Sequence, residues 1–320
     1  MRHPTTPRPL TAPLGGVPIL TAAALWGTTG TAASLAPAGA PAAAVGSAGL
    51  ALGGPLLLLT ARGTRTLIRT STRRERWLLA LGALAVAGYP IGFYPAVART
   101  GVAVTTVIAL GSAPVLTGLL ACLTRRARPT ARWVSATLLA VIGCALLVLG
   151  PRLTGGGAPV DAAGAALAGL AGLSYAGYTL IGARLIAGGH PSGAVLGTMF
   201  GGAAPLVLPV ALSGGVQWLT APRGAAVAAY LALCTTFLAY RLFGHGLRHA
   251  TAHVATTLTL AEPAVAAVLG VAVMDERLPA VSWCGLAALA GSLVFLTVPP
   301  AARRRRPRGL RHGGASTTTP

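Results

Sequence analysis

Lysine and asparagine are absent from this chain of 320 residues, and glutamine occurs once, at Gln217. Five residues are acidic: Glu75, Asp161, Glu262, Asp275 and Glu276. Charged residues make up 9% of the chain against 54% hydrophobic, and the mean hydropathy is +0.71. Polar surface this sparse excludes a soluble globular protein of this size. Chemical motifs are missing as well. There is no Gly-rich phosphate loop, nucleophile elbow or HExxH, and the loops are too short for an ATP-binding domain. An intramembrane enzyme would need several polar groups at one depth, and the chain supplies little beyond Glu262 and Arg241. No catalytic residue, cofactor or metal is therefore expected. The four cysteines, Cys122, Cys144, Cys234 and Cys284, each sit in an apolar run without CxxC spacing and read as small packing residues.

What the chain does have is hydrocarbon. Apolar runs lie at roughly 16–36, 40–61, 77–97, 101–123, 133–150, 162–183, 192–212, 225–247, 251–274 and 282–299. Runs of about twenty residues fit the hydrocarbon core of a bilayer, whereas barrel strands would alternate over about ten. The expectation is an all-α integral membrane protein with ten transmembrane helices. Arg2 and Arg8 before the first run also suit a cleaved signal peptide. That run has a partner downstream, however, which favours its staying as the first span.

All 25 basic residues besides histidine are arginine. With the N-terminus cytoplasmic, the inner segments hold Arg2 and Arg8, six arginines at 62–76, four at 125–132, Arg184, Arg248 and six after the last run. The outer loops hold Arg99, Arg152, Arg223 and Arg277 alone. This asymmetry predicts a multi-pass protein of the cytoplasmic (inner) membrane with both termini inside. The basic C-terminal segment, Arg303 to Arg306 with Arg308 and Arg311, follows directly on a span. It fits the anionic inner leaflet better than nucleic acid.

The runs also repeat. At an offset of 149 or 150, Trp26 meets Tyr175, Pro55 meets Pro205, Pro114 meets Pro263 and Trp133 meets Trp283. The unit is five spans, and because five is odd the second copy must enter the membrane upside down. The chain divides into a cytoplasmic tail at 1–13, a first repeat at 14–150, a second at 151–299 and a basic tail at 300–320. Two inverted five-helix repeats are a transporter signature, with substrate expected near mid-membrane between the halves.

Specific residues now match a family. Ala24-Leu25-Trp26-Gly27-Thr28 opens the first span, while Leu260-Ala261-Glu262-Pro263 and Asp275-Glu276-Arg277-Leu278 mark the ninth. In order and spacing, over residues 14–299, these pieces resemble the EamA family of the drug/metabolite transporter superfamily. The resemblance implies ten helices around a cavity open alternately to each side. It also implies a carrier, in most members an exporter, of amino acids, related metabolites or drugs. The small dimeric multidrug members of that superfamily carry a glutamate in their first helix, where this chain offers Trp26, Thr28, Thr29 and Thr31. Expected partners are a small-molecule substrate, protons and the bilayer, in a monomer or homodimer. A passive facilitator of the same fold, or a scaffold, stays open at this point.

Glu262 is the carboxylate well inside a span, and burial there is costly. It could bind a substrate amine or carry a coupling proton; it could also satisfy backbone groups freed by Pro263 or pair with Arg241. Arg241, a guanidinium in mid-span, could meet a substrate carboxylate. With His245, His249 and His253 it falls at spacings of four, a stripe if the helix is continuous and a basic rim if it breaks. Trp26, Tyr89, Tyr94, Tyr175 and Tyr178 are cavity-lining candidates, since a tyrosine hydroxyl in a bilayer needs a partner. Trp77, Trp133 and Trp218 fit the interfacial belt.

Overall fold

The computed structural model describes residues 12–123, 129–155, 160–275 and 277–298. All regular structure among them is helical. In chain order the helices are α1 (Ala12–Gly27), α2 (Thr29–Ser34), α3 (Ala42–Thr60), α4 (Thr64–Thr70), α5 (Arg73–Leu123), α6 (Ala131–Gly155), α7 (Ala162–Ala187) and α8 (Ser192–Leu212). They continue with α9 (Gln217–Thr220), α10 (Pro222–Tyr230), a π-helical stretch Leu231–Leu238, α11 (Ala239–Gly246), α12 (Ala252–Leu258), α13 (Ala261–Met274) and α14 (Ala280–Thr297).

Among the described residues eight helices, counting α10 through α11 as one and α12 with α13 as one, are long and apolar enough to cross a membrane. Two local features account for the difference from ten apolar runs. The runs at 77–97 and 101–123 join in α5, whose 51 residues would extend about 75 Å, against about 30 Å of hydrocarbon. Gly101 breaks it with φ 80 and ψ 163, a backbone conformation open to glycine. The first run is split, because α1 holds only 16 residues before the chain turns at Thr28 into α2. At the end of the first repeat, α6 runs on to Gly155, past residue 150.

Large apolar side chains face outward along these helices, among them Leu59, Leu84, Ile142 and Val294. A surface of this kind is stable against lipid and not against water. Inside, α3 packs on α8, α6 on α14, α5 along α7, and α1 against α11 and α13. Small residues set the approach. At Gly285 an added Cβ would lie 2.3 Å from the Leu147 nitrogen and 2.6 Å from the Gly143 carbonyl oxygen, so α6 and α14 touch backbone to backbone.

Two helix starts are capped by side chains. Thr72 and Glu75 form a capping box at the start of α5, with the Thr72 N–H donating to Glu75 Oε2 (2.8 Å) and the Glu75 N–H to Thr72 Oγ1 (3.3 Å). Glu75 also meets His190 Nε2 at 3.1 Å, joining α5 to the turn after α7. Asp161 caps α7 by accepting from the N–H groups of Ala163 (2.7 Å) and Gly164 (3.2 Å). Arg99 reaches the other Asp161 oxygen at 3.2 Å. Those backbone hydrogen bonds, with Arg99 beside them, hold the Asp161 carboxyl below its ordinary range.

The tails at 1–11 and 299–320, Arg125, Arg126, Arg128 and Glu276 lie outside the described residues.

Candidate functional site

Glu262 owes its position to Pro263. A proline has no N–H, and its ring crowds the carbonyl four residues back. Here that carbonyl belongs to Thr259, and it accepts instead from the Glu262 N–H at 3.0 Å. The helix breaks between α12 and α13, leaving Glu262 in the first turn of α13.

Two further irregularities lie against this break. At the end of α1 the Thr28 hydroxyl donates to the Leu25 carbonyl (2.6 Å) and lies 2.8 Å from the Tyr230 hydroxyl. In the π-helical stretch the Thr235 carbonyl accepts from the indole N–H of Trp26 at 2.8 Å. Short π segments inside α-helices are frequent at functional sites. Gly27 completes the junction, since a Cβ there would stand 2.8 Å from the Glu262 carbonyl oxygen. Three helix defects therefore converge on Trp26 to Thr28. At membrane depth, backbone of this kind is tolerated only inside protein or along a water-filled cavity.

Aromatic rings line the same region. Trp26 lies 4.9 Å from Tyr240 and 5.4 Å from Phe243, and Phe200 lies 3.9 Å from Tyr240, centroid to centroid. The hydroxyls of Tyr178 and Tyr240 meet at 3.1 Å. Tyr175 donates to Thr259 Oγ1 at 2.6 Å, tying α7 to the broken helix. Tyr89 sits edge-on to Tyr175 at 6.2 Å and stacks on Phe93 at 5.4 Å. Tyr94 adjoins through Phe93 and turns its hydroxyl toward Gly46 of α3.

The Glu262 carboxylate is half-buried and has neither a hydrogen bond nor an ion pair to any described side chain. It lies within electrostatic reach of Tyr89, Tyr175, Tyr240 and Cys144. Among the described residues no group of three or more His, Cys, Asp or Glu could hold a metal.

The fold thus gathers Glu262, Trp26, Tyr89, Tyr175 and Tyr178, with Tyr94 at the edge. It does not gather Arg241 or His245. One residue beyond Tyr240, the helix has rotated Arg241 about 100° away. Its side chain is exposed, 3.5 Å from the Thr60 hydroxyl, with its guanidinium over the Phe237 ring at 5.3 Å. His245 is also exposed and faces His249 at 5.5 Å. The histidine stripe is interrupted because α11 ends at Gly246 and α12 begins at Ala252. His253 is buried against Trp133 at 4.9 Å. Trp133 is buried, its indole donating to the His253 carbonyl and the Thr257 hydroxyl, both at 3.1 Å. Trp218 is likewise buried, whereas Trp77 is 67% exposed. Tyr240, Phe200, Thr235 and Thr259 belong to the site without having been singled out from sequence. Tyr240 was legible only as the neighbour of Arg241.

The sequence model of the EamA-like transporter family matches the chain twice, over residues 14–149 and 162–298. A curated relative, "Uncharacterized transporter YwfM" of Bacillus subtilis (strain 168), is 38% identical over 283 residues, covering 88% of this chain and 93% of its own. A crystal structure of a protein 20% identical to this chain superposes with a TM-score of 0.71, over 89% of this chain and 98% of that one, and bears on the fold alone. With the family matched in both halves and helices built to cross a bilayer, the chain belongs to the EamA-like transporter family and is a multi-pass membrane transporter.

Proposed function

We propose that the protein is a secondary transporter that exports a small, amine-bearing metabolite such as an amino acid across the cytoplasmic membrane. Two inverted five-helix halves rock around a site made by Trp26, Tyr89, Tyr175, Tyr178, Tyr240 and Glu262. The carrying observation is the unpartnered Glu262 carboxylate amid tyrosines, at the junction of three irregular helices. An ionisable group at this depth faces water or ligand, not lipid. A carboxylate flanked by aromatic faces suits a substrate ammonium, through charge and through cation–π attraction. The same carboxylate, when empty, can take a proton, so that amine and proton compete for it and exchange.

Ten crossings follow if α5 counts twice about Gly101 and α1 counts with α2. Inversion is supported by the double family match and by the helix pairs. α3 with α8 and α6 with α14 each join corresponding members of the two halves, an arrangement that a two-fold axis between them would produce.

Proteoliposomes carrying wild type and Glu262→Gln test the role of the carboxylate. We expect pH-driven amino-acid uptake in wild type and none in the variant. Loss of substrate counterflow as well would place the amine at Glu262; retained counterflow would confine the residue to proton coupling. Uptake and counterflow equal to wild type would exclude both roles.

A further inference from the structure

A concavity of about 770 Å³ lies away from the aromatic site, at the end of the bundle where α3, α7 and α11 finish and α8 begins. Its wall includes Arg62, Arg241 and Arg248, from the turn after α3, from α11 and from the turn after α11. None of the three pairs with a carboxylate among the described residues, and no Asp or Glu lines the space. His190 lines it as well, with its Nε2 turned to Glu75. The first residues of α8, Ser192 and Gly193, also line it, at a helix start with no side-chain cap. First-turn N–H groups carry partial positive charge and need acceptors.

Topology alone asks for arginines in connecting segments, and it accounts for Arg62 and Arg248. It does not account for Arg241, which lies seven residues, about 10 Å, back along the chain from Arg248. Three arginines bring positive charge to one concavity, and an anion there would offset their mutual repulsion.

The geometry points to a binding site for a phosphate group at this end of the bundle, held by Arg62, Arg241 and Arg248 over the start of α8. Donors approaching from several sides suit a tetrahedral group with three free oxygens better than a planar carboxylate, and guanidinium forks pair with phosphate oxygens two at a time. The volume exceeds a bare phosphate and leaves room for what it is attached to. The phosphate could be the headgroup of an anionic lipid in the adjoining leaflet or a soluble phosphate ester. This site is separate from the aromatic one and does not depend on the transported substrate.

The test is binding to the purified full chain. Phosphatidylglycerol is titrated and read by native mass spectrometry. Glycerol 3-phosphate is titrated separately and read by thermal shift. Wild type is compared with Arg241→Gln, Arg62→Gln, Arg241→Lys and, as a control, the exposed Arg223→Gln. We expect at least one probe to bind wild type and to weaken about tenfold or more in each of the two glutamine variants nearest the concavity. Arg241→Lys should keep part of the affinity, and Arg223→Gln should match wild type. Binding of phosphatidylglycerol alone assigns a lipid headgroup; binding of glycerol 3-phosphate, with displacement of the lipid, assigns a soluble ester. Binding of neither probe, or equal affinity in Arg241→Gln and Arg223→Gln, overturns the site. All three substituted side chains are exposed, and elution and melting profiles like wild type will confirm that the variants fold.

Discussion

Single residues at the two ends of the fold carry measurable consequences. Asp161 has its carboxyl held below the ordinary value of 3.8 by the N–H groups of Gly164 and Ala163 and by Arg99. A depressed folded-state value means that the ionised cap stabilises the native state above about pH 3.8 and that this contribution is lost as pH falls through the folded value. Asp161→Asn keeps a capping oxygen but not the charge. We therefore expect similar melting temperatures for variant and wild type at pH 7, and a smaller fall in the variant below pH 3.8. Equal falls in both would deny Asp161 this role. Near the site, Tyr175→Phe removes one hydrogen bond to Thr259, whose hydroxyl still donates to the Thr256 carbonyl at 2.9 Å. A loss of about 1 kcal/mol of stability is expected, read in a denaturation series. A larger effect on transport than on stability would place the hydroxyl in contact with substrate.

At the scale of helices, contact distance decides which glycines matter. Gly285 and Gly291 both lie in α14. At Gly285 a methyl group would meet the backbone of α6, whereas at Gly291 it would meet nothing within 4 Å. Gly285→Ala should push the two helices apart and cost about 1–3 kcal/mol. Gly291→Ala should be neutral or slightly stabilising, since alanine favours helix and restricts the unfolded chain. Melting temperatures of the pair in detergent check the contrast, and equal values would contradict the close packing. The sequence carried part of this level. Pro263 after Glu262 announced an interrupted helix, and the break is there. Nothing in Leu231–Leu238 announced a π-helical stretch, because its widening is stabilised from outside, by the Trp26 indole on the Thr235 carbonyl. Periodicity sees one helix at a time, and this bond spans 209 residues. The same limit hid the partners of Trp133, whose indole is satisfied by α12.

For the whole molecule, composition and run length were enough for an all-helical membrane protein, and the first-span and Glu262-Pro263 motifs were enough for the family. Which polar residues share a site was only half legible. Glu262, Trp26 and three tyrosines, singled out because a charge or hydroxyl within a bilayer needs a partner, lie together in the fold. Arg241 and His245 diverge because helix phase near the π-helical stretch, not depth, sets their direction. The central claim is that the two five-helix halves cross the membrane in opposite senses. Paired alkaline phosphatase and fluorescent protein fusions after residues 150 and 310 measure it most directly. Antiparallel halves require phosphatase activity with no fluorescence at 150, and fluorescence with no phosphatase activity at 310. The same reporter active at both positions would put the two ends on one face and contradict the inverted architecture.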